Sequence, residues 1–148
     1  MASSPHASLS PLPEFIHDAF IQIISTDDAV SEAALNKFLS PHVQETDVAS
    51  SSHLSRDGFR QVVKTLRAQI TDRKFVDETF VVATPADETN RTGAVAVTHV
   101  FTGLQDGKQV IATLVSVLRI KWVHEHGHRD GGRREVVTEA FITNVTSS

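Results

Sequence analysis

Residues 94–122, AVAVTHVFTGLQDGKQVIATLVSVLRIKW, decide the fold. Two runs rich in β-branched residues flank Asp106-Gly107, and a type I′ hairpin turn needs positive φ at both central residues, which Asp and Gly supply. With those two at the turn, Gln105 pairs with Lys108 and the register of the whole hairpin follows outward. Facing residues share a sheet face. One face then carries Val95, Val97, His99 and Phe101 with Ala112, Leu114, Ser116, Leu118, Ile120 and Trp122. The other carries Ala94, Ala96, Thr98, Val100 and Thr102 with Ile111, Thr113, Val115, Val117, Arg119 and Lys121. The first is the core face, and His99 and Ser116 are its polar side chains apart from the Trp122 indole N–H. A three-residue turn would instead set His99 opposite a residue such as Thr113, so the site depends on the turn.

Outward from the hairpin, period-two alternation predicts a strand over 74–84 and a last strand over 134–145. On that last strand Val136, Thr138, Ala140, Ile142 and Asn144 share the face expected to point inward. Residues 85–91 read as a polar turn region and 124–133 as a long Gly-rich connection. Toward the N-terminus the periodicity becomes helical. Pro13 opens a helix whose apolar positions are Phe15, Ile16, Ala19, Phe20, Ile23 and Ile24. Asp28 is placed to cap a second helix over 29–39, buried through Leu35, Phe38 and Leu39. A short extended piece over 42–47 and a Ser-rich loop over 49–52 follow. Ser55 caps a third helix with the stripe Phe59, Val62, Val63, Leu66 and Ile70. Three helices with one short strand among them, then a four-stranded antiparallel meander, define an α+β class.

A chain of 148 residues is one ordinary domain with room for a real core. Residues 1–11, rich in Ser, Ala and Pro, are expected to be a disordered tail, and 12–146 the domain. The net charge of −4 with no basic run makes nucleic acid and anionic membranes poor partners. Without cysteine there is no disulfide framework and no thiol nucleophile. No secretory signal or membrane-spanning stretch is legible, so a cytoplasmic location is expected.

The order and lengths of these elements resemble the nuclear-transport-factor-2-like superfamily, above all its SnoaL-like polyketide cyclase and ketosteroid-isomerase branches. Three stretches carry the resemblance: ALNKFLSPHVQETD at 34–47, LSRDGFRQVVKTLR at 54–67, and GKQVIATLVSVLRIKW at 107–122. It spans 13–145. It implies a cone-shaped α+β roll, with three N-terminal helices on a curved, mostly antiparallel sheet and a ligand pocket between them. The isomerase tyrosine would fall near Phe20, its protonated aspartate on Ser116, and a pocket phenylalanine on His99. The general base would fall at Thr46 or Asp47. This chain has no tyrosine, so steroid-isomerase chemistry as such does not carry over. Members that cyclise or dehydrate polyketides and terpenoids often place a histidine on these strands.

The expected function is therefore a small isomerase, cyclase or dehydratase working by proton transfer, without a cofactor, on an apolar polyketide- or terpenoid-like molecule of secondary metabolism. His99 would be the acid/base group, because imidazole changes charge near neutral pH. Asp47 would be a second base, and Ser116, Thr46 and Asn144 would position a substrate oxygen. Phe20, Phe38, Phe59, Leu66, Leu114 and Trp122 would form the apolar lining. Along 42–47 alternation allows either Gln44 and Thr46, or Glu45 and Asp47, to face inward. The competing reading of His99 is a core histidine bonded to Ser116 or a backbone carbonyl. His124, Glu125, His126 and His128 look like a metal cluster but sit in a Gly-rich tip, where a solvated loop is the better account and no metal is implied. The second sheet face, with Ala96, Val100, Ile111, Val115 and Val117, is too apolar to be fully wet, so a homodimer through that face is expected. The alternative to an enzyme is a non-catalytic small-molecule-binding or dimerisation module using the same cone.

Overall fold

The computed structural model describes residues 9–125 and 131–147. In chain order the elements are α1 (Leu12–Ile23), α2 (Asp28–Phe38), β1 (Leu39–Asp47), β2 (Ser52–Leu54), α3 (Arg56–Gln69), β3 (Thr71–Pro85), β4 (Gly93–Gln105), β5 (Lys108–His124) and β6 (Gly132–Ser147). The six strands form one sheet in the order β2-β1-β6-β5-β4-β3. All neighbours are antiparallel except β1 and β6. The expected α+β roll, with helices on one face of a curved sheet, is the fold observed. Most of the expected tail, and His126 and His128 of the histidine-rich tip, lie outside the described residues.

The central hairpin has the register read from its turn. Asp106 and Gly107 take φ of 52° and 75°, Gln105 faces Lys108, and the pairing runs unbroken to Gly93 and Ile120. His99 faces Leu114 and Val97 faces Ser116. Val95, Val97, Phe101, Ala112 and Ile120 are buried beneath the helices.

Curvature comes from bulges, each adding a residue on one strand and bending it. Three fall in β3, and one falls at the start of β6, where pairing steps from Arg119–Thr138 to Ile120–Val136. That last bulge leaves Val137 unpaired and reverses the alternation beyond it. Val136 faces inward as expected, but the later inward residues are Glu139, Phe141 and Thr143, not Thr138, Ala140, Ile142 and Asn144. Asn144 is exposed opposite Thr113.

The helices start close to their expected caps. Asp27, one residue before the expected Asp28, accepts from the N–H groups of Ala29 and Val30, and Ser55 accepts from Gly58 N–H. The α1 and α3 ends are tied together by Arg73. Its guanidinium donates to the carbonyls of Ile24 (2.8 Å), Ser25 (2.9 Å), Arg67 (2.9 Å) and Ile70 (2.6 Å). These are carbonyls that helix ends leave without intrahelical partners. The clamp fixes two walls of the cavity beneath.

Candidate active site

The helices and the concave sheet face enclose a cavity of about 80 Å³. Of the expected lining, Phe20, Phe38, Phe59, Leu66 and Leu114 are present, and His99 and Ser116 lie on the same wall. The polar side chains at the wall are few, which makes each one consequential: in low dielectric an unpaired polar group is costly.

Four expected members are elsewhere. Asp47 borders a separate depression with Gln61, Thr65 and Gln69, and its carboxylate accepts Ala49 N–H at 3.2 Å. Alternation explains Thr46: with Val43 and Glu45 buried inward, its hydroxyl points to the neighbouring strand, 3.3 Å from His53 Nδ1. Trp122 lies beyond the cavity end. The Arg91 guanidinium sits 4.4 Å from its ring centre, and Gly132 leaves no room for a Cβ, which would fall 2.4 Å from the indole. Asn144 is turned out by the β6 bulge.

His99 is the centre of what remains. Its side chain is 3% exposed, and Phe20 stacks on it with ring centres 3.8 Å apart and planes 6° from parallel. Behind it stands Glu78 of β3, whose Oε2 lies 2.9 Å from His99 Nδ1. The contact has ion-pair distance but lacks the alignment of a hydrogen bond. The other oxygen, Oε1, lies 2.9 Å from His17 Nδ1 on α1. Burial, and then the charge of His17, lower the His99 pKa from its ordinary 6.5 to about 4. The imidazole is neutral at physiological pH. With Nδ1 engaged by Glu78, Nε2 is the nitrogen left for chemistry.

A second ionisable group lies across the same wall. Glu139 on β6 lines the cavity, faces Glu45 of β1 in the parallel register, and adjoins Ser116. Glu45 is 1% exposed, and neither of its oxygens meets a donor. Two carboxyls so placed bond to each other only when at least one keeps its proton. Burial, the charge of Glu139 and their mutual hydrogen bond push the Glu45 pKa from 4.5 up to about 11. Burial also raises Glu139, against the opposing pull of the adjacent Glu45 and Ser116 side chains, the Ser116 hydroxyl lying near without an aligned hydrogen bond. The wall thus sets a neutral imidazole beside a carboxyl pair, Glu139 and Glu45, whose pKa values are shifted in the sense opposite to that of His99.

Sequence reasoning located His99 and Ser116 and left Glu45 as one of two registers. It missed Glu139, Glu78 and His17. The bulges in β3 and β6 hide the first two, because alternation cannot be read through an added residue. His17 gives a faint signal only, a polar residue directly after the buried Ile16.

The fold matches many solved structures. A "putative polyketide cyclase" from Acidithiobacillus ferrooxidans aligns over 96% of this chain and 92% of its own, with a TM-score of 0.56 at 18% identity. IdmH from Streptomyces antibioticus, described in the same words, aligns over 86% and 91%, with a TM-score of 0.58 at 14% identity. A nuclear-transport-factor-2-like protein of unknown function from Pseudomonas aeruginosa aligns over 89% and 97%, with a TM-score of 0.54 at 10% identity. No family model matches the sequence, nor does any curated protein. At these identities the likeness defines the fold alone: a nuclear-transport-factor-2-like α+β roll.

Proposed function

We propose that this protein is an isomerase, cyclase or dehydratase that moves protons on an apolar, oxygenated small molecule of polyketide or terpenoid type. The observation that carries this reading is two opposed groups at one cavity, neutral His99 backed by Glu78 and the buried Glu139–Glu45 carboxyl pair. Nε2 of His99 takes a proton from a carbon next to a carbonyl, and Glu139 gives the proton it shares with Glu45 to the oxygen on which charge develops. Ser116 holds that oxygen in place, and Glu45 keeps the acid protonated. Both acid and base are side chains of this chain, so the reaction needs no cofactor. Two fold neighbours named as polyketide cyclases are consistent with this class of substrate. The cavity of about 80 Å³ is small beside the ~300–1,000 Å³ of ordinary ligand pockets. A polyketide-sized substrate therefore requires the cavity to widen on binding.

The test is deuterium uptake from D2O at the α-carbons of a panel of compact apolar ketones. His99→Ala should lower the rate by about 10²–10⁴-fold under conditions where urea unfolding shows the variant still folded. Unchanged uptake would remove His99 from the mechanism. A non-catalytic binding module is the second reading, favoured by the flat Phe20 stack, which suits a packing role. Ligand binding with no uptake in the wild type would select it.

The proposal includes a homodimer. On the outer sheet face Val115, Val117 and Ile142 are exposed, Val117 at 57%, beside half-buried Val100 and Ile111. No helix of the described chain covers them, and contiguous apolar surface of this kind marks an interface. Val117→Lys should shift the sedimentation coefficient from dimer to monomer. A monomeric wild type would end this part of the proposal. Among the described residues, no helix is long and apolar enough to cross a membrane.

A further inference from the structure

Proton transfer at His99 leaves one of its neighbours, His17, without a role. One carboxyl, Glu78, touches two imidazoles through different oxygens: Oε2 is 2.9 Å from His99 Nδ1 and Oε1 is 2.9 Å from His17 Nδ1. Side-chain exposure rises along the series, from 3% at His99 through 12% at Glu78 to 40% at His17. His99 lines the inner cavity. His17 and Glu78 line a crevice on the outer surface together with Glu14 and Asp18. The three side chains therefore cross the wall between the apolar cavity and the outer crevice.

We propose that His17, Glu78 and His99 form a proton relay through the wall of the cone, connecting the cavity base to solvent. The inference rests on the reading of His99 as an acid/base group, and Glu78 and His17 act through it as positioning residues. When Nε2 of His99 takes a proton from the ligand, a small rotation aligns Nδ1–H with Oε2 of Glu78, 2.9 Å away, and the Nδ1 proton passes there. A half-turn of the carboxyl presents that O–H to His17, a rotation favoured by the roughly two-fold character of this torsion. His17, whose Nδ1–H donates to Glu78 at rest, first moves that proton to Nε2 through water, then accepts the Glu78 proton at Nδ1 and releases the Nε2 proton to solvent. One proton has left the ligand, one has reached solvent, and all three side chains regain their starting charge. Reverse passage returns a proton to the product and restores the His99 tautomer. The physical need is clear from burial: a charge gained by His99 beneath Phe20 is disfavoured unless it can be exported.

The experiment needs no substrate. Solvent exchange of His99 Nδ1–H is measured by NMR on intact protein carrying ¹⁵N-histidine, for the wild type, His17→Gln and Glu78→Gln. Glutamine at 17 still hydrogen-bonds Glu78 but cannot shuttle a proton, so a merely structural role survives. Exchange is expected to slow ~10-fold or more in both variants, toward the local-opening rate of neighbouring β4 amides. Equal exchange in the wild type and His17→Gln overturns the relay, even where His99→Ala abolishes catalysis. Slowed exchange with a fully active His99→Ala supports the relay and overturns the catalytic reading instead.

Discussion

The position that the resemblance assigns to a tyrosine holds Phe20, and the loss of one hydroxyl changes what this residue does. A phenol there would donate to a ligand oxygen, whereas the phenyl ring lies flat on His99 and keeps water from one of its faces. Burial is the first cause of the depressed His99 pKa, so the covering ring is a lever on it. Phe20→Ala should raise that pKa from about 4 toward 6.5, read by NMR titration of the ring carbons. The truncation should also cost about 3 kcal/mol of stability, as large-to-small changes at buried aromatics do. A titration unmoved by the truncation would show that His17, the second cause, dominates. His99 and Ser116 were legible because the Asp106-Gly107 turn fixes every facing pair in the hairpin. The partners of His99 were not, since Glu78 lies among three register shifts in β3.

At the scale of elements, one inserted residue decides which chemistry β6 brings to the cavity. Strict alternation from Val136 would have pointed Thr138, Ala140, Ile142 and Asn144 inward. Val137, looped out of the ladder with β5, hands that face to Glu139, Phe141 and Thr143 instead. An apolar strand with one terminal amide thereby becomes a strand with a buried acid. Nothing in the local sequence Val136-Val137-Thr138 announces this, because both valines suit a strand on either face. The same limit held in β1, where alternation offered two sets and could not choose. The choice of Glu45 follows from the parallel pairing with β6, a long-range contact invisible to periodicity. Helices were read more securely. A stripe at 3.6-residue spacing and a capping Ser or Asp are local signals, and both caps fall within one residue of their expected places. The exception is Arg73, which lies outside any helix and yet completes the C-terminal ends of two.

For the molecule as a whole, the opposed titrations of the cavity make stability depend on pH in a defined direction. The unfolded Glu45 carboxyl gives up its proton near 4.5, while the folded one holds it to about 11. Between those values the native state binds more protons than the unfolded state, so stability falls as pH rises. One such group contributes at most about 1.4 kcal/mol per pH unit. His99 acts in the other sense: its folded pKa of about 4 lies below the ordinary 6.5, so between those values stability rises with pH. The two effects oppose each other in mild acid, and above 6.5 the carboxyl pair acts without that opposition. Urea unfolding should therefore give a lower stability at pH 9 than at pH 7. Glu45→Gln keeps an uncharged hydrogen-bonding partner for Glu139 and removes one of the two acids. It should flatten that fall and leave the variant more stable than the wild type at pH 9. A wild type whose stability is flat over this range, with Glu45→Gln no more stable than it, would mean that the buried pair is already ionised at neutrality. Glu139 would then hold no proton to donate, and the acid half of the proposed mechanism would fail together with the pH dependence.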